Sequence, residues 1–237
     1  MLARYGLLAI ILIAGVVYSL SARKLTLIAA ITSTVIACLV FTGAGFTGVA
    51  MMTTLFILAS AATSWKRSEK LVFEPEGDHK KGRTAGQVMA NTGVAAIAGV
   101  MVWIFPSYMH LWILMMAASL ASANADTLSS ELGMVYGRRF LNIISLKPDK
   151  RGLDGVVSLE GTLIGIGGSI IIAVVYAIGF GWNAAGLITI IIAGTVGNLA
   201  DSVLGATLER GKYIGNNAVN FLNTLIAALV ALLIYFI

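Results

Sequence analysis

The sequence contains little charge, one cysteine and two histidines. Only 11% of its 237 residues are charged, where a soluble domain averages about 25%, and 58% are hydrophobic. The single Cys38 excludes an intrachain disulfide, and His79 and His110 have no companions at metal-ligand spacing. A Walker A pattern is also absent, which excludes a P-loop kinase. This much apolar surface exceeds what an aqueous core buries and predicts an integral membrane protein.

Apolar runs between charged or Gly/Pro breaks predict an all-α polytopic fold with about eight transmembrane helices. The predicted spans cover residues 2–20, 25–41, 46–64, 85–105, 109–125, 159–180, 184–199 and 218–237. We divide the chain into an N-terminal three-helix segment at 1–65, a basic loop at 66–83 and a five-helix catalytic region at 84–237.

Basic side chains gather in alternate connections between these spans. The basic connections carry Arg23 and Lys24; Lys66, Arg67, Lys70, Lys80, Lys81 and Arg83; Arg138, Arg139, Lys147, Lys150 and Arg151; and Arg210 and Lys212. The short turns near Gly43, Pro106 and Gly181 carry none. By the positive-inside rule, the basic connections lie in the cytoplasm and both termini lie outside. Orientation also accounts for the net charge of +5, so we predict no nucleic-acid partner.

Polar residues repeat at the ends of the later spans. Asn124-Ala125-Asp126-Thr127 closes the fifth span and Asn198-Leu199-Ala200-Asp201-Ser202 closes the seventh; Glu131 and Glu209 follow. The starts of the fourth, sixth and eighth spans repeat as well: Gly82-Arg83-Thr84 with Gln87 and Asn91, Gly155 with Ser158 and Glu160, and Gly215-Asn216-Asn217 with Asn220. We therefore predict a duplicated helical hairpin in the C-terminal half, with its polar ends facing the cytoplasm.

Six of the eleven acidic residues fall at the predicted membrane boundary: Asp126, Glu131, Asp154, Glu160, Asp201 and Glu209. Carboxylates at this depth are costly unless they are paired or bind a cation, and oxygen ligands alone suit Mg²⁺. The bases Arg83, Lys147, Lys150, Arg151 and Lys212, with the amides of Asn216, Asn217 and Asn220, are candidates for holding phosphates. The set indicates phosphoryl or nucleotidyl transfer at a lipid interface.

Each group also has a structural interpretation. Asp126 and Asp201 can simply end helices, and Arg138 and Arg139 can serve as orientation charges. The glycines of the sixth span are typical of close helix packing.

Several motifs resemble those of a known family. They are Arg83-Thr84-Ala85-Gly86-Gln87-Val88 with Asn91, Ala125-Asp126-Thr127 with Ser130-Glu131-Leu132-Gly133, Gly155 to Ser158 with Gly161-Thr162, Asp201-Ser202 with Leu204-Gly205-Ala206, and Asn216-Asn217 with Val219-Asn220. In this order, from Gly82 to the C-terminus, they resemble the integral membrane family that contains plant phytyl phosphate kinase and transmembrane protein nineteen. The first three spans are less diagnostic.

The resemblance implies phosphorylation of a prenyl monophosphate, such as phytyl or geranylgeranyl phosphate, by a nucleoside triphosphate with Mg²⁺. Distant similarity of that family to CTP-dependent polyprenol kinases and cytidylyltransferases implies CTP as the donor. It further implies that Asp126, Glu131 and Asp201 are metal or phosphate ligands, and that Arg83, Asn91, Ser158, Asn216, Asn217 and Asn220 line the same pocket. The chain departs from the family at Leu153-Asp154-Gly155-Val156-Val157, where the family is richer in glycine and asparagine.

Three functions stay open at this point. In a prenyl phosphate kinase, Asp126 and Asp201 hold the metal, Arg83 binds the acceptor, and Lys150, Arg151 and Lys212 bind the triphosphate, with Asp154 and Glu160 nearby. A CTP-dependent lipid cytidylyltransferase would use the same groups and differ in its products. A transporter of isoprenoid phosphate needs polar groups through the membrane, whereas here they stop at one face. Oligomeric state is not predicted.

Overall fold

A computed structural model describes residues 2–70, 72 and 82–237. The described chain forms eight α-helices and one two-stranded ribbon. The helices are Leu2–Ser21 (α1), Leu27–Ser64 (α2), Arg67–Lys70 (α3), Ala85–Ile104 (α4), Met109–Tyr136 (α5), Leu159–Phe180 (α6), Ala184–Leu204 (α7) and Asn216–Tyr235 (α8). The strands are Leu141–Asn142 (β1) and Val156–Val157 (β2). Lys80, Lys81 and His79 lie outside the described residues.

The outside of the helix bundle is apolar, as a bilayer requires. Seven of the described helices are long and apolar enough to cross a membrane. Large side chains such as Trp103, Leu159 and Ile178 are more than 70% exposed, and in lipid that exposure carries no hydrophobic penalty. The prediction of an all-α polytopic membrane protein is confirmed. The duplication, the three-part division of the chain and its sidedness in the membrane stay predictions.

Helix α2 contains two of the predicted spans. It has 38 residues and would measure about 57 Å if it were straight. Yet Lys24 Nζ, just before its start, donates to Ser64 Oγ at its end over 2.7 Å, so the helix must fold back on itself. The reversal lies at Gly45, whose φ of 59° and ψ of −149° are not helical and suit glycine. The predicted count of eight spans stays a prediction, and Gly45 is the turn it requires.

Two helices end later than the sequence indicated. Helix α5 continues past Asp126 to Tyr136, and α7 continues past Asp201 to Leu204 and then through a π-helical turn at Gly205–Glu209. The short polar side chains that we took as helix ends bond back into the helix instead: Thr127 Oγ1 donates to the Ala123 carbonyl at 2.9 Å. The two aspartates therefore lie inside helices rather than at their ends.

Helix α5 lies at the centre of the bundle. Every residue from 113 to 125 is buried, and α2, α4, α6, α7 and α8 all contact it. Small residues allow these close approaches: a β-carbon built at Gly133 would lie 3.0 Å from the Gly161 Cα on α6. Because α5 is enclosed on all sides, its polar residues face other helices and not lipid.

Helices α2 and α4 approach each other closely enough for their backbones to touch. A β-carbon at Gly99 would overlap the Leu39 carbonyl and lie 3.3 Å from the Val40 Cα. We expect Gly99→Ala to destabilise the protein by about 1–3 kcal/mol, because backbone cannot move aside as a flexible side chain can. Thermal unfolding in detergent measures the effect. Gly167→Ala on α6 is the matched control, since nothing lies within 4 Å of that position; equal stability of the two variants would contradict the packing argument.

Candidate functional site

A polar cavity of about 1150 Å³ lies at one end of the bundle. All four connections that the sequence predicted to be basic contribute residues to its lining, so these connections lie at the same end. Ten of the predicted site residues line it: Arg83, Asn91, Asp126, Glu131, Asp154, Ser158, Asp201, Asn216, Asn217 and Asn220. The structure thus brings together side chains that are separated by more than half of the sequence.

Two aspartates from neighbouring helices meet in this cavity. The carboxyl groups of Asp126 on α5 and Asp201 on α7 lie within hydrogen-bonding reach of each other. Asp201 Oδ1 also accepts from Asn223 Nδ2 at 2.7 Å, and Asn223 Oδ1 accepts from Ser122 Oγ at 3.0 Å. Two adjacent carboxylates repel unless a proton or a cation lies between them. The pair, anchored by fully buried Asn223, could therefore share a proton or hold a cation.

This donor set fits Mg²⁺. Among the described residues, no three His, Cys, Asp or Glu side chains come together as a metal centre. Mg²⁺ does not require three, because it is usually held by one or two carboxylates, with substrate phosphates and waters completing its shell. Asp126 and Asp201 supply such a pair.

Arg83 is fixed beside the acidic residues. It precedes α4, where Thr84 and Gln87 form a capping box: Thr84 Oγ1 accepts from Gln87 N at 3.4 Å, and Gln87 Oε1 accepts from Thr84 N at 2.8 Å. Burial lowers the pKa of the Arg83 guanidinium, while the charges of Glu131 and Asp126 act to raise it. Arginine remains charged under such shifts, so Arg83 places a positive charge against the acidic side of the cavity.

Glu131, a predicted metal ligand, is already paired. Its carboxylate accepts from Lys70 Nζ, and the same ammonium donates to the carbonyls of Ala62 at 2.8 Å and Thr63 at 3.0 Å. Lys70 is only 3% exposed, so its three donors are all used. The pair ties α3 and the end of α2 to α5, which gives Glu131 a structural task at the edge of the cavity.

Three helices begin at the cavity, as predicted from their polar starts. Ser158 caps α6 by accepting from Gly161 N at 3.1 Å. Helix α8 begins after Gly215, which has no side chain to cap it, and Asn220 Nδ2 donates to Asn216 Oδ1 at 3.3 Å. The partial positive charge of these helix starts favours anions in the cavity. Asn91 Oδ1 is buried without a hydrogen-bond partner among the described residues, which leaves an acceptor for a ligand.

Four predicted site residues lie outside the lining: Lys150, Arg151, Lys212 and Glu160. The Arg151 guanidinium lies 5.5 Å from the centre of the Phe140 ring, and Glu160 accepts from the Arg138 backbone N–H at 3.3 Å. Asp149, which precedes Lys150, accepts from Arg210 at 2.8 Å, and this hydrogen bond lowers the Asp149 pKa. Among the described residues, the bases of the lining are instead Arg23, Lys24, Arg67 and Arg83.

Sequence reasoning gave no site role to several residues that support the aspartates. Asn223 follows Asn216 and Asn220 at helical spacing, which places all three on one side of α8 and was a usable signal. Asn198 lies three residues before Asp201, and its Oδ1 accepts from Ser129 Oγ at 2.9 Å. Lys70 gave no signal, since it resembles every other base of the loop.

The family described as integral membrane protein DUF92 matches residues 9–228 of the chain. The protein belongs to this family. No solved structure matches it.

Three relatives of this DUF92 protein match between half and about four fifths or more of it. An uncharacterized membrane protein of Synechocystis sp. is 29% identical over 201 residues, which are 84% of this chain and 78% of its own. An uncharacterized membrane protein of Methanocaldococcus jannaschii is 36% identical over 122 residues, 50% of this chain and 49% of its own. Protein VTE6, chloroplastic, of Arabidopsis thaliana is 28% identical over 198 residues, 80% of this chain and 59% of its own.

The Lys70–Glu131 pair gives a stability prediction. We expect Lys70→Met to destabilise the protein by about 3–5 kcal/mol, because it leaves the Glu131 carboxylate poorly solvated and without its partner. Thermal unfolding in detergent at neutral pH measures the loss. The control is Lys66→Met, which breaks the Lys66–Glu69 pair, whose side chains are 44% and 53% exposed, and should change stability by about 0–1 kcal/mol. Similar losses in both variants would show that burial of the pair is unimportant.

Proposed function

We propose that this DUF92 protein is a membrane-embedded prenyl phosphate kinase. It transfers a phosphoryl group from a nucleoside triphosphate, CTP by preference, to phytyl or geranylgeranyl phosphate and makes the prenyl diphosphate. The observation that carries the proposal is the Asp126–Asp201 pair in a polar cavity at the end of a lipid-exposed helix bundle. The motifs that resemble those of the phytyl phosphate kinase family support it, as do membership of the DUF92 family and the similarity to Protein VTE6.

The lining of the cavity suits phosphorylated ligands. Its volume of about 1150 Å³ lies just above the range of about 300–1,000 Å³ that is typical of small-molecule pockets. Its lining combines carboxylates, guanidinium groups and helix starts, which are the groups that bind metal-nucleotide complexes and phosphates. The lipid tail of the acceptor would remain among the apolar helix surfaces.

Mg²⁺ would be held by Asp126 and Asp201, and when bound it neutralises charge on the phosphate oxygens. The Asn223 and Ser122 amide and hydroxyl keep the Asp201 carboxylate turned toward its partner. Arg83 and the uncapped start of α8 bind phosphate oxygens and orient them. An oxygen of the acceptor phosphate attacks the γ-phosphorus, and the bond from that phosphorus to the bridging β-phosphate oxygen breaks, releasing the nucleoside diphosphate. A prenyl phosphate is already ionised at neutral pH, so no general base is needed.

We expect Asp126→Asn and Asp201→Asn each to lower turnover at least about 100-fold, because each removes half of the charge that holds the metal. The assay uses purified protein in detergent with Mg²⁺, geranylgeranyl phosphate and CTP. Asp149→Asn is the control, since Asp149 pairs with Arg210 outside the cavity lining. Unfolding temperatures near that of the wild type show that the variants remain folded. Normal turnover by both cavity variants would contradict the site.

The products separate the kinase from its alternatives. Incubation with CTP, ATP, GTP and UTP in turn, followed by mass spectrometry, should give prenyl diphosphate and a nucleoside diphosphate, with the highest rate for CTP. Pyrophosphate and a CDP-linked lipid would identify a cytidylyltransferase instead. A transporter would give neither pair of products, and it would move the labelled lipid phosphate across a sealed vesicle.

A further inference from the structure

Three basic side chains line one wall of the cavity and have no role in the steps described above. They are Arg23 and Lys24, between α1 and α2, and Arg67 of α3. The carboxylates of the lining lie on the C-terminal elements: Asp126, Glu131, Asp154, Asp201 and Glu209. Within the described part of the chain, none of these bases makes an ion pair. Among the described residues, this basic wall is therefore a patch of positive charge that no ion pair neutralises.

Backbone contacts hold the basic wall against Arg83. Arg83 N donates to the Lys24 carbonyl at 2.8 Å, and Thr26 N donates to the Arg83 carbonyl at 3.1 Å. A β-carbon at Gly82 would lie 2.8 Å from the Arg23 carbonyl oxygen, so the two segments run in direct contact. The bases of the first connection are thus fixed next to the guanidinium that the kinase uses, not left on a free loop.

The hydroxyl groups of the α2 end complete this wall. Lys24 Nζ donates to Ser64 Oγ at 2.7 Å, which fixes the ammonium at the cavity surface. Ser60, Thr63 and Ser64 all line the cavity, and Thr63 Oγ1 is buried without a hydrogen-bond partner among the described residues. A wall of cations and hydroxyls, one of them unsatisfied, is suited to a phosphate group.

Arg23 occupies a backbone position that would suit glycine better. Its φ is 52°, and it follows the end of α1, where Lys24 N donates back to the Ser19 carbonyl at 2.8 Å. Helices commonly end in this left-handed conformation with glycine, because a β-carbon is unfavourable there. Of the non-glycine residues with positive φ among the described residues, Arg23 is the one that lines the cavity.

We propose that Arg23, Lys24 and Arg67 form the subsite that binds the phosphate of the lipid acceptor. The inference rests on the proposed kinase function and gives the N-terminal helices a part in it. The wall adjoins α1, in which only Leu8 and Ser19 are buried and side chains such as Ile10 and Ile13 are more than 60% exposed. In this arrangement the phosphate of a prenyl chain in the bilayer lies at this wall, while the nucleotide lies at the aspartate pair and the start of α8.

Binding without turnover tests the subsite. The probe is geranylgeranyl phosphate in the absence of nucleotide. It is added at increasing concentration to wild-type protein and to the Lys24→Gln/Arg67→Gln variant, and the unfolding temperature is measured at each concentration. We expect at least about tenfold weaker binding by the variant, from the loss of two charge-assisted contacts. Geranylgeraniol, which has no phosphate, should bind both proteins equally. Lys66→Gln is the control, since Lys66 lies outside the cavity lining and pairs with Glu69.

Turnover separates this inference from the kinase proposal. In the variant we expect the KM for geranylgeranyl phosphate to rise about tenfold and the KM for CTP to remain unchanged. Wild-type turnover with unchanged lipid binding and lipid KM in the variant would overturn the subsite and leave the kinase standing. A rise in the KM for CTP alone would contradict the assignment of the basic wall to the acceptor phosphate. If neither the wild type nor the variant shows turnover, binding that requires the lipid phosphate and is lost in the variant would still support the subsite.

The Arg23→Gly variant distinguishes a role of Arg23 in ligand binding from a structural role. Glycine relieves the backbone at this position, so the unfolding temperature should rise or remain unchanged. Binding of geranylgeranyl phosphate should nevertheless weaken several-fold. A higher unfolding temperature with undiminished binding of geranylgeranyl phosphate would show that Arg23 is not part of the subsite.

Discussion

Helices α5 and α7 cross so closely that a β-carbon at Gly194 or Gly197 would overlap Ala121 or Ser122. Residues four apart lie on the same side of a helix, so Asp126 stands one turn beyond Ser122 and Asp201 one turn beyond Gly197. The carboxyl groups meet because the backbones meet. Loss of either glycine would separate the helices and with them the carboxyl groups. The chemistry of the cavity therefore depends on the absence of a side chain at Gly194 and Gly197, where the two helices cross.

The distribution of polarity follows from the solvent on each side. Lipid covers the outer surface, so apolar side chains there carry no penalty, and a buried polar group is costly unless it has a partner inside the bundle. Ser122, Asn223 and Asp201 satisfy one another across three helices, and Lys70 uses two carbonyls and a carboxylate. Polar residues are concentrated where these networks open into the cavity, which leaves the opposite end of the bundle mostly apolar.

Periodicity and hydropathy predicted the parts of this structure that depend on local sequence. Apolar runs predicted starts at residues 85 and 159, where α4 and α6 begin, and at 218, two residues after α8 begins at Asn216. A change in hydropathy is visible within a few residues. The ends of α5 and α7 were wrong, because a polar residue inside a helix becomes acceptable when another helix packs against it. The pairing of Glu131 with Lys70 and the position of the basic wall depend on contacts between distant segments. No local pattern carries that information.

The reversal at Gly45 has a consequence for how the chain enters the membrane. No charged residue lies between Lys24 and Lys66, and the polar Thr42 next to the turn returns its hydroxyl to the Leu39 carbonyl at 2.6 Å. The whole α2 hairpin can therefore partition into hydrocarbon during biosynthesis without carrying a charge across it. Arg4 is the exception near this end, and its guanidinium lies 5.1 Å from the centre of the Phe41 ring and 5.9 Å from that of Phe46. The aromatic rings on both sides of the turn thus stabilise Arg4, the only charged side chain of α1.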